Sequence, residues 1–248
     1  DLEQRRDGDW IGHDARYRRT DEFMEVMKRV WTETKPFDHK GEFYQFEQNL
    51  SEVRTYQQPH VPLYFGGASD VAKEVGAKRA DVYALWGEPL ASIKEQIADI
   101  RARAARYGRT IRFSVSVRPI LGNTEGEAWE RAMGILDRVK SSVGDTIGPG
   151  KPARMQSEGS RRLLDFAAKG DVHDRRLWMP IAATTGAAGN TTALVGTAEQ
   201  VAESLLAYHQ AGADAFIIRG FDPMQDSIDW GKELIPMVRE GAVALASN

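Results

Sequence analysis

Apolar residues recur with two different periods along this chain. Phe23, Val26, Met27, Val30 and Trp31 fall at i, i+3, i+4, i+7 and i+8, one face of a helix. Thr20, Asp21 and Glu22 stand before them as a cap and an acidic first turn. Residues 1–20 read as a polar loop carrying His13-Asp14-Ala15-Arg16-Tyr17. Gly41, with Phe43, Tyr44 and Phe46 after it, predicts a hairpin within 36–60, and Pro59 and Pro62 lead into Leu63-Tyr64-Phe65, a short buried strand.

From there strand and helix alternate. Gly66-Gly67-Ala68-Ser69-Asp70 links the first strand to a helix containing Val71, Ala72 and Val75. Asp81–Trp86 is the next strand, Gly87-Glu88-Pro89 its exit, and Ile93, Ile97 and Ile100 the apolar face of a helix stopping near Gly108. Ile111–Leu121 alternates around Phe113, Val115 and Val117. Thr124 and Glu127 then form a capping box for a helix through Trp129, Met133, Leu136 and Val139. The stretch 141–175 is glycine- and arginine-rich and breaks the rhythm, with a short helix near 157–168, as a lid would. Leu177–Ala183 is a further candidate strand. Thr197 and Gln200 cap a helix ended by Gly212, Asp214–Ile218 is the last strand, and Ile228–Val243 the last helix. Such alternation predicts a parallel sheet with helices outside it, one barrel-like architecture over 1–248.

Composition narrows the function. The 33 basic and 36 acidic residues leave a net charge of −3, which gives no electrostatic footprint for nucleic acid or an anionic membrane. No apolar run reaches the roughly 20 residues of a membrane span. Cysteine is absent, which excludes disulfides, thiolate metal sites and a cysteine nucleophile within this chain. The scattered histidines (His13, His39, His60, His173, His209) have no metal-ligand spacing, so no metal is expected. A cytoplasmic protein is the expectation. The chain opens on Asp1-Leu2-Glu3-Gln4-Arg5-Arg6 without an initiator Met, as the middle of a protein would.

In a parallel α/β fold, ligands gather beyond the carboxyl ends of the strands. That rule picks out the segments 66–70, 86–89, 118–123, 184–190 and 219–222. Gly66-Gly67-Ala68-Ser69 before a helix suits a phosphate or other anion, or is a tight turn in which Ser69 is only the cap. Trp86 could face a planar ring or belong to the rim of the core. Arg118 and Arg219 could hold an anionic substrate, or form salt bridges with Glu88, Asp222 or Asp226. Glu88 is a candidate base or a paired carboxylate. Neither GxxxxGK[ST] nor GxGxxG nor G-x-S-x-G occurs.

Several blocks in order carry a likeness. They are His13-Asp14-Ala15-Arg16-Tyr17 with Asp21-Glu22-Phe23, Pro62–Asp70, Trp86-Gly87-Glu88-Pro89, Gly108-Arg109 with Ile111-Arg112-Phe113, Ala193–Thr197 and Gly212–Phe216. From about residue 10 to the last helix, the chain resembles the bacterial luciferase-like flavin monooxygenases, and within them the alkanesulfonate monooxygenase group. The resemblance implies a TIM (β/α)8 barrel whose first three strands are not in this chain. It implies reduced FMN as co-substrate, supplied by an NAD(P)H-dependent flavin reductase, and O2 as oxidant of a small organic molecule. In the sulfonate enzymes a C–S bond breaks to give an aldehyde and sulfite. Carried over by position, His13, Tyr17, Gly67, Ala68 and Ser69 belong to flavin binding, with Tyr17 and the glycine loop on its phosphate. Trp86, Arg118 and Arg219 belong to the active site, and the stretch 141–175 is the lid. A homo-oligomer is the family expectation.

Departures from that group are specific. It carries an Arg and a His two apart where this chain has Ser116 and Arg118, an Arg near Ala187, and a Tyr loop where Arg219-Gly220-Phe221-Asp222 stands. Flavin chemistry is implied while the substrate is open, with an organosulfur anion or another small acid compatible with the two arginines. An F420-dependent hydride-transfer enzyme of the same superfamily, a non-catalytic flavin-binding relative and an inactive fragment are the alternatives.

Overall fold

A computed structural model describes residues 8, 10–143, 157–189 and 191–247. The chain forms two compact units. The first holds residues up to Tyr83 together with Ile100–Ile111, the second Ala84–Asp99 with everything from Arg112 on. The division falls inside strand β4 (Val82–Trp86) and helix α3 (Leu90–Arg106).

In the first unit, α1 (His13–Thr32) begins earlier than the pattern predicts, so His13 to Tyr17 form its first turn rather than a loop. Arg16 N–H reaches Gly12 O at 3.0 Å, which closes that turn. The expected cap residues are therefore helical, and each has another task. Thr20 Oγ donates back to Arg16 O, Asp21 pairs with Lys78 and Arg79, and Glu25 joins Arg79. Only Met24 of α1 is buried, and Phe23 is exposed. Ion pairs to α2 (Asp70–Arg79), rather than the predicted apolar stripe, thus hold much of this helix.

The hairpin is present as β1 (Phe37–Lys40) and β2 (Gln45–Asn49), paired antiparallel. Glu22 anchors it by accepting the Phe43 and Tyr44 amides at 2.9 and 2.8 Å and facing His39 Nε2 at 3.0 Å. Burial alone would raise the Glu22 carboxyl, but His39 and the two amides hold it below its ordinary value. Gly41 has no side chain because that carboxylate fills the space a Cβ would take.

Strand β3 (Tyr64–Gly66) is present, although Tyr64 is exposed rather than buried. It leads to α2 through Gly67–Ser69. At the far end of α2, Arg109 donates to Ala77 O at 3.2 Å and Ala80 O at 2.8 Å. Arg109 thus satisfies carbonyls that a helix end leaves without partners.

In the second unit, β5 (Arg112–Leu121) is the central strand. Its first half pairs in parallel with β9 (Ala215–Ile218) and its second half with β8 (Ala193–Gly196), with β4 on its other side. Helices α4 (Glu125–Val143) and α7 (Ala198–Gln210) cover it. Ile120, Ala128, Ala132, Ile135, Leu136, Trp178, Ile181, Ala193 and Val195 pack as a core cluster. The capping box of α7 forms as its sequence predicts, with Thr197 and Gln200 bonded reciprocally.

Other expectations are corrected. Strand β8 carries no pattern beyond four small or apolar residues and was not among the predicted elements. The candidate strand at 177–183 is cut to β7 (Leu177–Trp178), paired antiparallel with β6 (Val172–His173) and with β8. Pro180 instead opens a short helix, α6 (Pro180–Thr184), because its fixed φ and missing N–H suit a first helical turn. The last helical region starts at Pro223, behind the Asp222 cap, as α8 (Pro223–Asp229). It passes through a π turn (Trp230–Leu234) into α9 (Ile235–Ala246). Helix α5 (Glu158–Ala167) matches the predicted short helix, while residues 144–156 of the lid-like stretch lie outside the described residues.

Candidate functional site

In the first unit the Gly67–Ser69 turn is fixed from three sides. The buried Tyr83 hydroxyl donates to Gly67 O at 2.7 Å. A Cβ on Gly67 would stand 2.6 Å from Ala72 Cβ and 3.4 Å from the Tyr17 hydroxyl. The glycine is therefore required by close approach, and the Tyr17 oxygen lies directly beside the turn. Ser69 is the N-cap of α2, its hydroxyl accepting Ala72 N–H at 3.4 Å. That hydroxyl keeps its own hydrogen to give, so capping and anion binding are compatible. The turn thus offers amides at a helix N-terminus, the Ser69 hydroxyl and the Tyr17 hydroxyl together. Asp70 would oppose an anion there, but Arg103 Nη2 pairs with it at 2.6 Å. His13 sits one helical turn before Tyr17, with ring centroids 5.0 Å apart, and its Nδ1 lies 2.7 Å from Asp14 Oδ1.

In the second unit, register decides which side chains share a face. A Cβ on Gly87 would meet Val117 Cγ1 at 2.5 Å, so Gly87 points to the side of the buried Val117. Side chains alternate along a strand, and Trp86 therefore belongs to the opposite face with Ser116 and Arg118. Ser116 pairs with Ile217, which puts Arg219, two residues on, at that face as well. Arg219 N–H donates to Val117 O at 3.4 Å, beside Arg118. Arg118 is not at a strand end as its sequence context predicts, because β5 runs on to Leu121. It stands where β5 changes partner from β9 to β8.

Two of the acids that the sequence offers to these arginines are held by other arginines. Glu88, 3% exposed, receives a two-pronged bond from Arg162, Nε to Oε1 at 3.0 Å and Nη2 to Oε2 at 2.6 Å. Ser92 and Gln96 also donate to Glu88 Oε2, at 2.6 and 3.0 Å. The buried Tyr208 hydroxyl, its pKa pushed up by burial, donates to Glu88 O at 2.7 Å. Asp226 is equally committed. It pairs with Arg131 and accepts the Phe221 and Asp222 amides at 2.8 and 2.9 Å. Asp222 caps α8 through Gln225 N–H. Glu88 is thus a buried carboxylate paired with Arg162.

Arg118 itself donates to Gly220 O at 3.2 Å and lies over the Phe221 ring, 4.8 Å from its centroid. Burial first, and the Arg219 charge second, hold its pKa below the ordinary value. Arg118 and Arg219 therefore share one face of the sheet, and the charge of each is felt by the other. An anion between them would relieve that repulsion. Arg162, Ser92, Gln96 and Tyr208 were not legible as a group, since the Arg162–Glu88 contact spans 74 residues of sequence.

The luciferase-like monooxygenase family model matches residues 1–215, and the chain belongs to that family. Its fold is accordingly the α/β fold of the luciferase-like TIM-barrel type.

Solved structures agree in fold. A riboflavin lyase, determined with modified FMN and riboflavin, is 21% identical with a TM-score of 0.71, over 93% of this chain and 58% of that one. The EDTA monooxygenase of Chelativorans sp. BNC1 is 17% identical, with a TM-score of 0.67, over 93% and 62%. An F420-dependent secondary alcohol dehydrogenase is 16% identical, with a TM-score of 0.62, over 93% and 64%. This chain thus spans between 58% and 64% of the length of these three relatives. Among the described residues, no helix is long and apolar enough to cross a membrane.

Proposed function

We propose that this chain belongs to an FMNH2-dependent monooxygenase that uses O2 to oxygenate a small organosulfur anion such as an alkanesulfonate. The observation that carries the reading is the Gly67–Ser69 turn at the start of α2 with the Tyr17 hydroxyl beside it. The donor set around the turn fits a flavin phosphate. Tyr17 and Ser69 donate to phosphate oxygens, the turn amides and helix end supply positive potential, and Arg103 neutralises Asp70. His13 orients Tyr17 by its edge contact.

Bound there, reduced FMN supplies the two electrons with which O2 gives one oxygen atom to the substrate and the other to water. In the second unit Trp86 offers a flat apolar wall, and Arg118 and Arg219 bind the anionic head of the substrate. The altered positions at Ser116, Ala187 and Phe221 support a head group or chain different from those of the alkanesulfonate group proper. An NAD(P)H-dependent flavin reductase as electron source, a homo-oligomeric state and a cytoplasmic location complete the proposal, all three carried by the family resemblance.

The test mixes protein with reduced FMN anaerobically and then admits oxygen with a short alkanesulfonate. Sulfite and aldehyde appearing in step with flavin oxidation are expected. Reduction of a substrate by reduced F420 without oxygen, and no product from FMNH2, would overturn the reading in favour of hydride transfer.

A further inference from the structure

We propose that Gly159 and Arg162 of α5 are positioning residues that set the plane and depth of the Trp86 indole. The functional consequence rests on the reading of Trp86 as an active-site wall, while the positioning itself rests on geometry within the second unit.

The indole is the last side chain of β4, and a group of that size at a strand end needs a cover to hold one orientation. Helix α5 supplies it. A Cβ on Gly159 would stand 3.0 Å from Trp86 Cζ3, 3.3 Å from Cε3 and 3.6 Å from Cη2, so the helix backbone lies against the six-membered ring. Its φ is not in the left-handed region, so neither a turn nor a positive φ explains a poor helix former here. The close approach of the ring does.

Three further attachments fix where α5 lies. Ser157 caps it, accepting Ser160 N–H at 3.1 Å. The buried Ser160 hydroxyl donates to Ala187 O at 2.9 Å, and Leu163 is fully buried. Arg162, three residues past Gly159 and so on the same side of the helix, grips Glu88, two residues past Trp86. Helix and strand exit are therefore joined at two adjacent points, one through an arginine fork and one through a ring. The fork fixes direction as well as distance, which a lysine would not. Sliding α5 along the strand exit would break the fork before it freed the indole.

5-Fluorotryptophan labelling gives one fluorine line for each of the six tryptophans, and the Trp86 line is identified by its loss in Trp86→Phe. Gly159→Ala is expected to move the Trp86 line and leave those of Trp31 and Trp129 in place. Arg162→Lys, which keeps the charge but loses the fork, should broaden the same line. With the turnover assay, Gly159→Ala should lower kcat about tenfold with reduced-FMN affinity within about twofold, because small misplacements near a reacting centre are costly.

A Trp86 line unmoved in both variants would overturn the proposal. Reduced FMN added to the parent protein separates the two claims. A line that responds to Gly159→Ala but not to flavin keeps the positioning and overturns the place given to Trp86 in the active site.

Discussion

Arg162→Met should be among the most destabilising single substitutions in the second unit, costing about 3–5 kcal/mol. The loss comes less from the missing attraction than from what remains. Glu88 is 3% exposed, and without its guanidinium partner its charge keeps, among the described residues, the Ser92 hydroxyl and the Gln96 amide. Removing the charge as well should recover much of the deficit. Glu88→Gln combined with Arg162→Met leaves no buried ion, and the Gln oxygen still accepts from Ser92 and Gln96. Urea unfolding of the two single variants, the double variant and the parent forms the cycle that reads this coupling. A loss of less than about 1 kcal/mol in Arg162→Met would show that the pair behaves like an exposed one.

Arg118→Met should have the largest effect on activity without a matching effect on stability. The Arg118 guanidinium is half-buried, donates to Gly220 O and lies over Phe221, contacts that a neutral side chain of similar length only partly replaces. Its thermal midpoint should fall only modestly, by about what one hydrogen bond and one cation–π contact contribute. Charge-assisted hydrogen bonds contribute roughly 1.5–3 kcal/mol each, so kcat/KM for an anionic substrate should fall about 10- to 100-fold. An uncharged analogue of the same length should lose far less. Equal losses for both substrates would place Arg118 in the scaffold instead.

Much of the fold could be read from local pattern, since period and turn chemistry are local. The strand around Val82–Trp86, the isoleucine face of α3, and the Thr197–Gln200 box all stand where periodicity and capping put them. Patterns failed where the deciding contact was distant. Thr20, Asp21 and Glu22 read as a helix start but lie inside α1, where Asp21, Glu25 and Glu22 are held by Lys78, Arg79 and the hairpin amides rather than by their neighbours. Val172 and His173 read as loop until they pair with β7, and the candidate strand at 177–183 stops where Pro180 opens a helix.

The site divides in the same way. The Gly67–Ser69 turn announces itself by its glycines and its cap. The partners of Glu88 and Asp226 were open among several arginines, and only geometry shows that Arg162 and Arg131 take them. That assignment gives Glu88 and Asp226 arginine partners other than the two that the sequence offered them.

The central claim is that the Gly67–Ser69 turn and Tyr17 hold the phosphate of a reduced flavin. The direct measurement is anaerobic titration of the protein with reduced FMN and, separately, with reduced riboflavin, which differs only in lacking that phosphate. The account predicts clearly tighter binding of reduced FMN, with Tyr17→Phe and Ser69→Ala each narrowing the gap by weakening FMN alone. Equal affinity for the two flavins, unaffected by either substitution, would contradict it.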